Sequence, residues 1–112
     1  MSSASTEAVR LSVAKDFSRT PGPRKTSEGL HSGEEFLVLL TERYLEAEAK
    51  GAKLIVDLDG AAGYPTSFLE AAFGGLARAQ GPEKVLATLT LKCNDEPDLV
   101  EEIQQYIRDA TE

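Results

Sequence analysis

Apolar and polar positions alternate with different periods along the chain, and the changes of period mark its elements. Val9, Leu11 and Val13 alternate with Arg10, Ser12 and Ala14. That period of two predicts a strand over 9–14 with one buried face, suited to a sheet edge. Phe36, Leu37, Leu40, Tyr44 and Ala47 then recur at helical spacing. Ser32 stands three residues before Glu35, which makes a capping box at the front of this helix, and Gly51 supplies its C-cap. The run Leu54, Ile55, Val56 is continuous and apolar. It reads as a central strand covered on both faces, as in parallel sheets.

A second helix is expected from about Ser67, with Leu69, Ala72, Phe73 and Leu76 on its apolar face and an end at Gly81-Pro82. Ser67 and Glu70 form a further capping-box pattern. Gly74 and Gly75 weaken this helix, which suggests a close approach to the sheet. Lys84–Lys92, "KVLATLTLK", alternates and predicts another strand. Leu99, Val100, Ile103, Tyr106, Ile107 and Ala110 form the clearest helical stripe, with Asn94 and Asp95 as cap candidates. This helix is expected to reach the C-terminus. Strands that alternate with helices predict an α/β layered domain with a mainly parallel sheet. The segment between the first strand and first helix holds Pro21, Gly22, Pro23 and Gly29, which exclude long regular elements.

Composition narrows the function. The 112 residues suit one domain over 9–112 behind a flexible tail over 1–8. A net charge of −7 argues against nucleic acid or an anionic membrane as partner. Residues 1–26 nevertheless carry a net +3 against −10 for the remainder. One Cys and one His offer neither a disulfide nor a zinc set, and no cofactor motif is present. No apolar run is long enough to span a bilayer, and "MSSASTEAVR" lacks an apolar core of signal-peptide length. A cytoplasmic location is the expectation.

Few residues suggest chemistry. His31 and Cys93 read as a surface or cap residue and a buried hydrophobe, so no catalytic residue is assigned. Asp57 and Asp59 end the central strand, where ligands of open α/β sheets bind, but one Asp holding the loop accounts for them without a metal. Arg19, Arg24 and Lys25 are candidates to meet an anion, which gives an alternative reading as a nucleotide-binding or other anion-binding domain. Thr66 and Ser67 precede a helix. Ser67 has a capping role to fill, whereas Thr66 has none, and a phosphate there would meet a helix N-terminus.

The segment "KLIVDLDGAAGYPTSFLEAAFGGL" resembles the core of STAS domains, the fold of bacterial anti-sigma-factor antagonists. In those domains an apolar strand ends in Asp-Leu, and Asp-Ser-Ser-Gly-Leu opens a helix after a short loop. Asp57-Leu58 and Leu69 match that pattern. Thr66 falls on the serine that partner kinases phosphorylate, and Ser67 on its neighbour. Pro65 replaces the Asp and Phe68 the Gly, and only one strand precedes the first helix where two are usual. "VAKDFSRTPGPR", "SGEEF", "VDLDG", "GYPTSFLEAAFGGL" and the acidic last helix are similar to the STAS-like domain of unknown function, a bacterial family, from about Val9 onward.

The resemblance implies a STAS-like layered α/β domain, with a mainly parallel or mixed sheet of about four strands and three or four helices. It implies a non-enzymatic interaction module that binds another protein through Tyr64, Thr66, Ser67 and Phe68. The partner would be a histidine-kinase-type ATPase or an anti-sigma-like protein, and phosphorylation of Thr66 or Ser67 would switch it.

Overall fold

The computed structural model describes residues 8–110. The tail expected over 1–8 lies, apart from Ala8, outside the described residues. The order of elements is β1 (Val9–Ser12), α1 (Gly33–Lys50), β2 (Leu54–Asp57), α2 (Thr66–Leu69), α3 (Gly75–Gln80), α4 (Pro82–Thr88), β3 (Leu89–Lys92) and α5 (Asp98–Asp109). A π-helical turn, Glu70–Gly74, joins α2 to α3 as one continuous helix. The three strands are all parallel in the order β1-β2-β3. The α/β class and the parallel sheet follow the sequence pattern. Among the described residues there are three strands rather than about four.

The helix α1 forms as its caps predict. Ser32 Oγ accepts from the Glu35 amide at 3.0 Å, and Gly51 closes the helix at φ 64°. Glu35 Oε1 reaches back to the His31 amide at 3.1 Å, one residue earlier than a capping box requires. Phe36, Leu40, Tyr44 and Ala47 are fully buried along the helix. They join Leu11, Leu54, Val56, Phe68, Phe73, Leu76, Ile103 and Ile107 in one core.

Several elements differ from the sequence reading, each for a physical reason. The strand β1 stops at Ser12, because the Ser12 hydroxyl takes the Lys15 amide and opens a π-helical turn over Val13–Phe17. The strand β2 is buried on one face only. Leu54 and Val56 point into the core, while Ile55 and Asp57 are half-buried on the other face. The expected strand over Lys84–Lys92 is helical for its first part. Gly81 turns the chain at φ 102°, Pro82 starts α4 at a position where its missing amide is no loss, and the strand begins at Leu89. Packing of α4 against α3 and α5 decides between two periods that the short sequence permits.

Gly75 of the central helix serves helix–helix rather than helix–sheet contact, whereas a Cβ on Gly74 would meet Glu70 and Arg78 of the same helix. A Cβ on Gly75 would stand 2.8 Å from Leu37 of α1. The last helix ends at Asp109, with Ala110 extended. Asn94 and Asp95 do not cap it; Pro97 holds the N-cap position. No described helix is long and apolar enough to cross a membrane.

Candidate functional site

The carboxyl ends of the three strands and the start of α2 share one end of the domain. A loop bracing system fixes it. Asp57 Oδ1 accepts the Asp59 amide at 3.0 Å. Asp59 Oδ1 accepts the Asp95 amide at 2.8 Å, and Asp95 Oδ2 accepts the Gly60 amide at 3.2 Å. The Asp95 amide, followed by the Asn94 amide, holds the Asp59 carboxyl below its usual pKa. These carboxylates therefore tie the β2–α2 loop to the β3–α5 loop. Lys92 lies 3.9 Å from Asp57 across the same strand ends.

Tyr64 closes the loop from the other side. Its hydroxyl donates to the Leu58 carbonyl at 2.8 Å. Burial, helped by the nearby Cys93 and Asp57 charges, pushes its phenol well above the ordinary value. The ring packs 6.1 Å from Phe68. Phe68 itself is fully buried, stacked on Phe36 at 5.6 Å. It cannot join the exposed binding surface the sequence suggested; it holds that surface from beneath.

The two hydroxyls are placed differently from each other. Thr66 is the first residue of α2 and is exposed, and Ser67 is half-buried. Pro65 holds the N-cap position, and no side chain caps the helix. The Ser67–Glu70 capping box does not form, since the helix begins two residues too early for it: Pro65, not Ser67, holds the N-cap. Glu70 turns instead to two guanidinium groups. Arg24 Nη1 lies 2.5 Å from Oε1, and Arg78 Nη1 lies 2.9 Å from Oε2. The Tyr106 hydroxyl, which donates to Glu102 at 2.7 Å, stands beside Thr66.

Arg24 thus anchors the segment between β1 and α1 to the central helix. That segment is structured throughout. Gly22 donates to the His31 carbonyl, Gly33 to Pro23, Glu34 to Arg24, and Ala62 to Arg19. Thr26 Oγ1 meets Ser32 Oγ at 2.9 Å beside the α1 cap. Of the three anion-binding candidates, Arg24 already neutralises Glu70, while Arg19 and Lys25 are exposed. No local feature of the chain signals the Arg24–Glu70–Arg78 cluster, because its members lie 46 and 8 residues apart.

The bond from Arg24, then that from Arg78, lowers the Glu70 pKa. A lowered folded-state pKa gives stability that is present above the unfolded carboxyl value and lost as pH falls through the folded one. The wild type is therefore expected to lose more unfolding free energy than Glu70→Gln between about pH 5 and about pH 3. The Glu70 side chain is 30% exposed and its partners 42% and 38%, so solvent screening limits the difference to about 1 kcal/mol or less. Urea titrations at both pH values measure it, and equal losses would remove Glu70 as the source.

His31 and Cys93 have structural surroundings. The His31 ring lies edge-on to Phe17 at 5.8 Å. Cys93 is buried, and burial raises its thiol pKa. Among the described residues no cluster of three or more His, Cys, Asp or Glu is placed to hold a metal ion.

Compared with known families, residues 32–99 match the model of the STAS-like domain of unknown function (DUF4325). The match takes in α1, β2, the central helix and β3, which is more than half of the chain. It begins at Ser32, later than the Val9 from which the sequence resemblance runs. No curated protein and no solved structure matches the chain.

Proposed function

We propose, starting from the fact that the chain belongs to the STAS-like family of unknown function, that it is a non-enzymatic protein–protein interaction module switched by phosphorylation of Thr66. The observation that carries this reading is the exposed Thr66 hydroxyl on the first residue of an uncapped helix, at the carboxyl end of the sheet. The amides of that first turn have no side-chain acceptor, and the helix dipole favours negative charge there. Phosphorylation adds about −1.5 to −2 charge. Glu70 lies one helical turn further on, so the Arg24 it holds is the cation at hand to meet the new charge. A phosphate would thus compete with Glu70 for Arg24 and change the surface a partner reads.

The docking surface in this reading is Thr66 and Ser67 with the half-buried rim of Tyr64, beside the exposed Arg19 of the anchored segment. The partner is a histidine-kinase-type ATPase or an anti-sigma-like protein. The absence of enzyme activity in this reading fits the buried, raised-pKa Cys93 and the packed His31, neither of which is poised for catalysis. The anion-site alternative has less support, because Arg24 is already engaged.

The test is incubation with ATP and a candidate kinase of that class, followed by peptide mass spectrometry. One phosphate on Thr66 is expected, and Thr66→Ala should prevent it. Modification of neither Thr66 nor Ser67 would remove the switch and leave only the binding module.

A further inference from the structure

The two edges of the sheet are finished differently. In the parallel register Val9 and Leu11 turn their backbone groups toward β2, so Arg10 and Ser12 turn theirs outward. Side chains cover that edge. Arg43 Nη1 donates to the Arg10 carbonyl at 3.0 Å, and the Ser12 amide donates to Asp16 Oδ2 at 2.8 Å. On β3 the opposite parity holds. The Leu58 amide donates to the Lys92 carbonyl at 2.8 Å, so Thr90 and Lys92 face β2, and Leu89 and Leu91 face outward. The Leu89 amide closes α4 on the Val85 carbonyl. Among the described residues no hydrogen bond covers the Leu91 amide, the Leu91 carbonyl or the Leu89 carbonyl. A row of unpaired groups on a strand edge is a template for another strand.

We propose that this β3 edge binds a second copy of the chain, the two β3 strands pairing antiparallel about a two-fold axis. The edge complements itself in the register centred on Leu91. There the two Leu91 residues exchange both amide–carbonyl bonds, and each Leu89 carbonyl faces the Cys93 amide of the second copy. Thr90 stands opposite Lys92 of the second copy, so no like charges meet. A centre one residue later would set Lys92 against Lys92, and a centre one residue earlier would need the Leu89 amide that α4 already uses. Lys92 does not shield the edge, because it leans over the open sheet face toward Asp57. The half-buried Leu86, Leu89 and Leu91 flank the same edge. The product is a six-stranded sheet, close to the common size, from two halves of three.

Thr90 gives the test, since it is exposed and its side chain takes no part in the core. Sedimentation velocity over a concentration series compares the wild type, Thr90→Lys and Thr90→Glu, with thermal melts to show that each monomer folds. The wild type is expected to form a reversible dimer. Thr90→Lys sets two lysine pairs face to face and should weaken it about tenfold, whereas Thr90→Glu sets two opposite-charge pairs and should tighten it by a similar factor. A wild type and Thr90→Glu that both stay monomeric at the highest concentration reached would overturn the proposal. So would a dimer indifferent to both substitutions, because its interface would then lie elsewhere.

Discussion

Phe68→Ala is expected to cost about 3–5 kcal/mol of folding stability, the largest effect of any single truncation around the candidate site. The side chain is fully buried and sits among Phe36 at 5.6 Å, Phe17 at 6.1 Å and Tyr64 at 6.1 Å. Its removal leaves a cavity beneath the loop that carries Tyr64 and the start of α2. That cavity is walled by an aromatic stack whose backbone comes from three separate segments, so collapse is difficult. The contrast is Thr66→Ala. Thr66 is exposed and caps nothing, so its truncation should change stability by no more than about 0.5 kcal/mol. Urea unfolding measures both. If Phe68 were a surface contact, the order would reverse, with a small stability cost and a direct loss of partner binding. A Phe68→Ala cost below about 1 kcal/mol would contradict its burial here.

That contrast shows where sequence reading succeeds and fails at this site. Thr66 and Phe68 are two residues apart, and the sequence places both on one surface. A helix turns about 100° per residue, so neighbours at that spacing point to opposite sides. A linear motif does not carry the first residue of its helix, and that residue decides which side chains face out. Once α2 starts at Thr66 rather than after Ser67, Thr66 faces out and Phe68 faces in. The same two-residue shift dissolves the Ser67–Glu70 capping box and frees Glu70 for Arg24 and Arg78.

Signals that act within a few residues were legible. The Ser32 cap and the Gly51 stop bound α1 where the sequence puts them, because each depends on atoms within one turn. The Leu54–Val56 run is a strand, as its apolar residues predict. Its open face was not legible, because a continuous apolar run of three residues reads alike in one-sided and two-sided sheets. The α4–β3 boundary was hidden for a related reason. Leu86, Thr88 and Thr90 alternate like a strand, yet Val85 and Leu89 also lie four apart like a helix. Long-range pairs such as Arg24–Glu70 and Asp59–Asp95 leave no periodic trace at all.

The second large effect is expected at Gly33, where two rules oppose each other. Replacing a glycine inside a helix by alanine ordinarily stabilises it by about 1 kcal/mol. Gly33 is the first residue of α1 and is buried against α2. A Cβ there would stand 2.8 Å from Ala71 Cβ and 2.8 Å from the Phe68 carbonyl oxygen, with the Phe68 Cα at 3.2 Å. Two of those three atoms are backbone of the helix that carries Thr66, so relief requires α1 and α2 to move apart. Overpacking of this kind costs about 1–3 kcal/mol, which outweighs the propensity gain and makes Gly33→Ala destabilising. Gly33→Val adds two further methyl groups to the same contact and should reach about 3 kcal/mol or more, a fall of some 12 °C or more in melting temperature. Ala71→Gly in the same chain removes one of the two close contacts and leaves the Phe68 carbonyl, so it should restore only part of the loss. Gly63→Ala is the matched control. Its Cβ meets nothing within 4 Å and its φ is not left-handed, so it should lie within about 0.5 kcal/mol of the wild type. Thermal and urea unfolding of the four variants settle the order, and a Gly33→Val melting temperature equal to that of Gly63→Ala would mean that α1 and α2 are not in contact at this point.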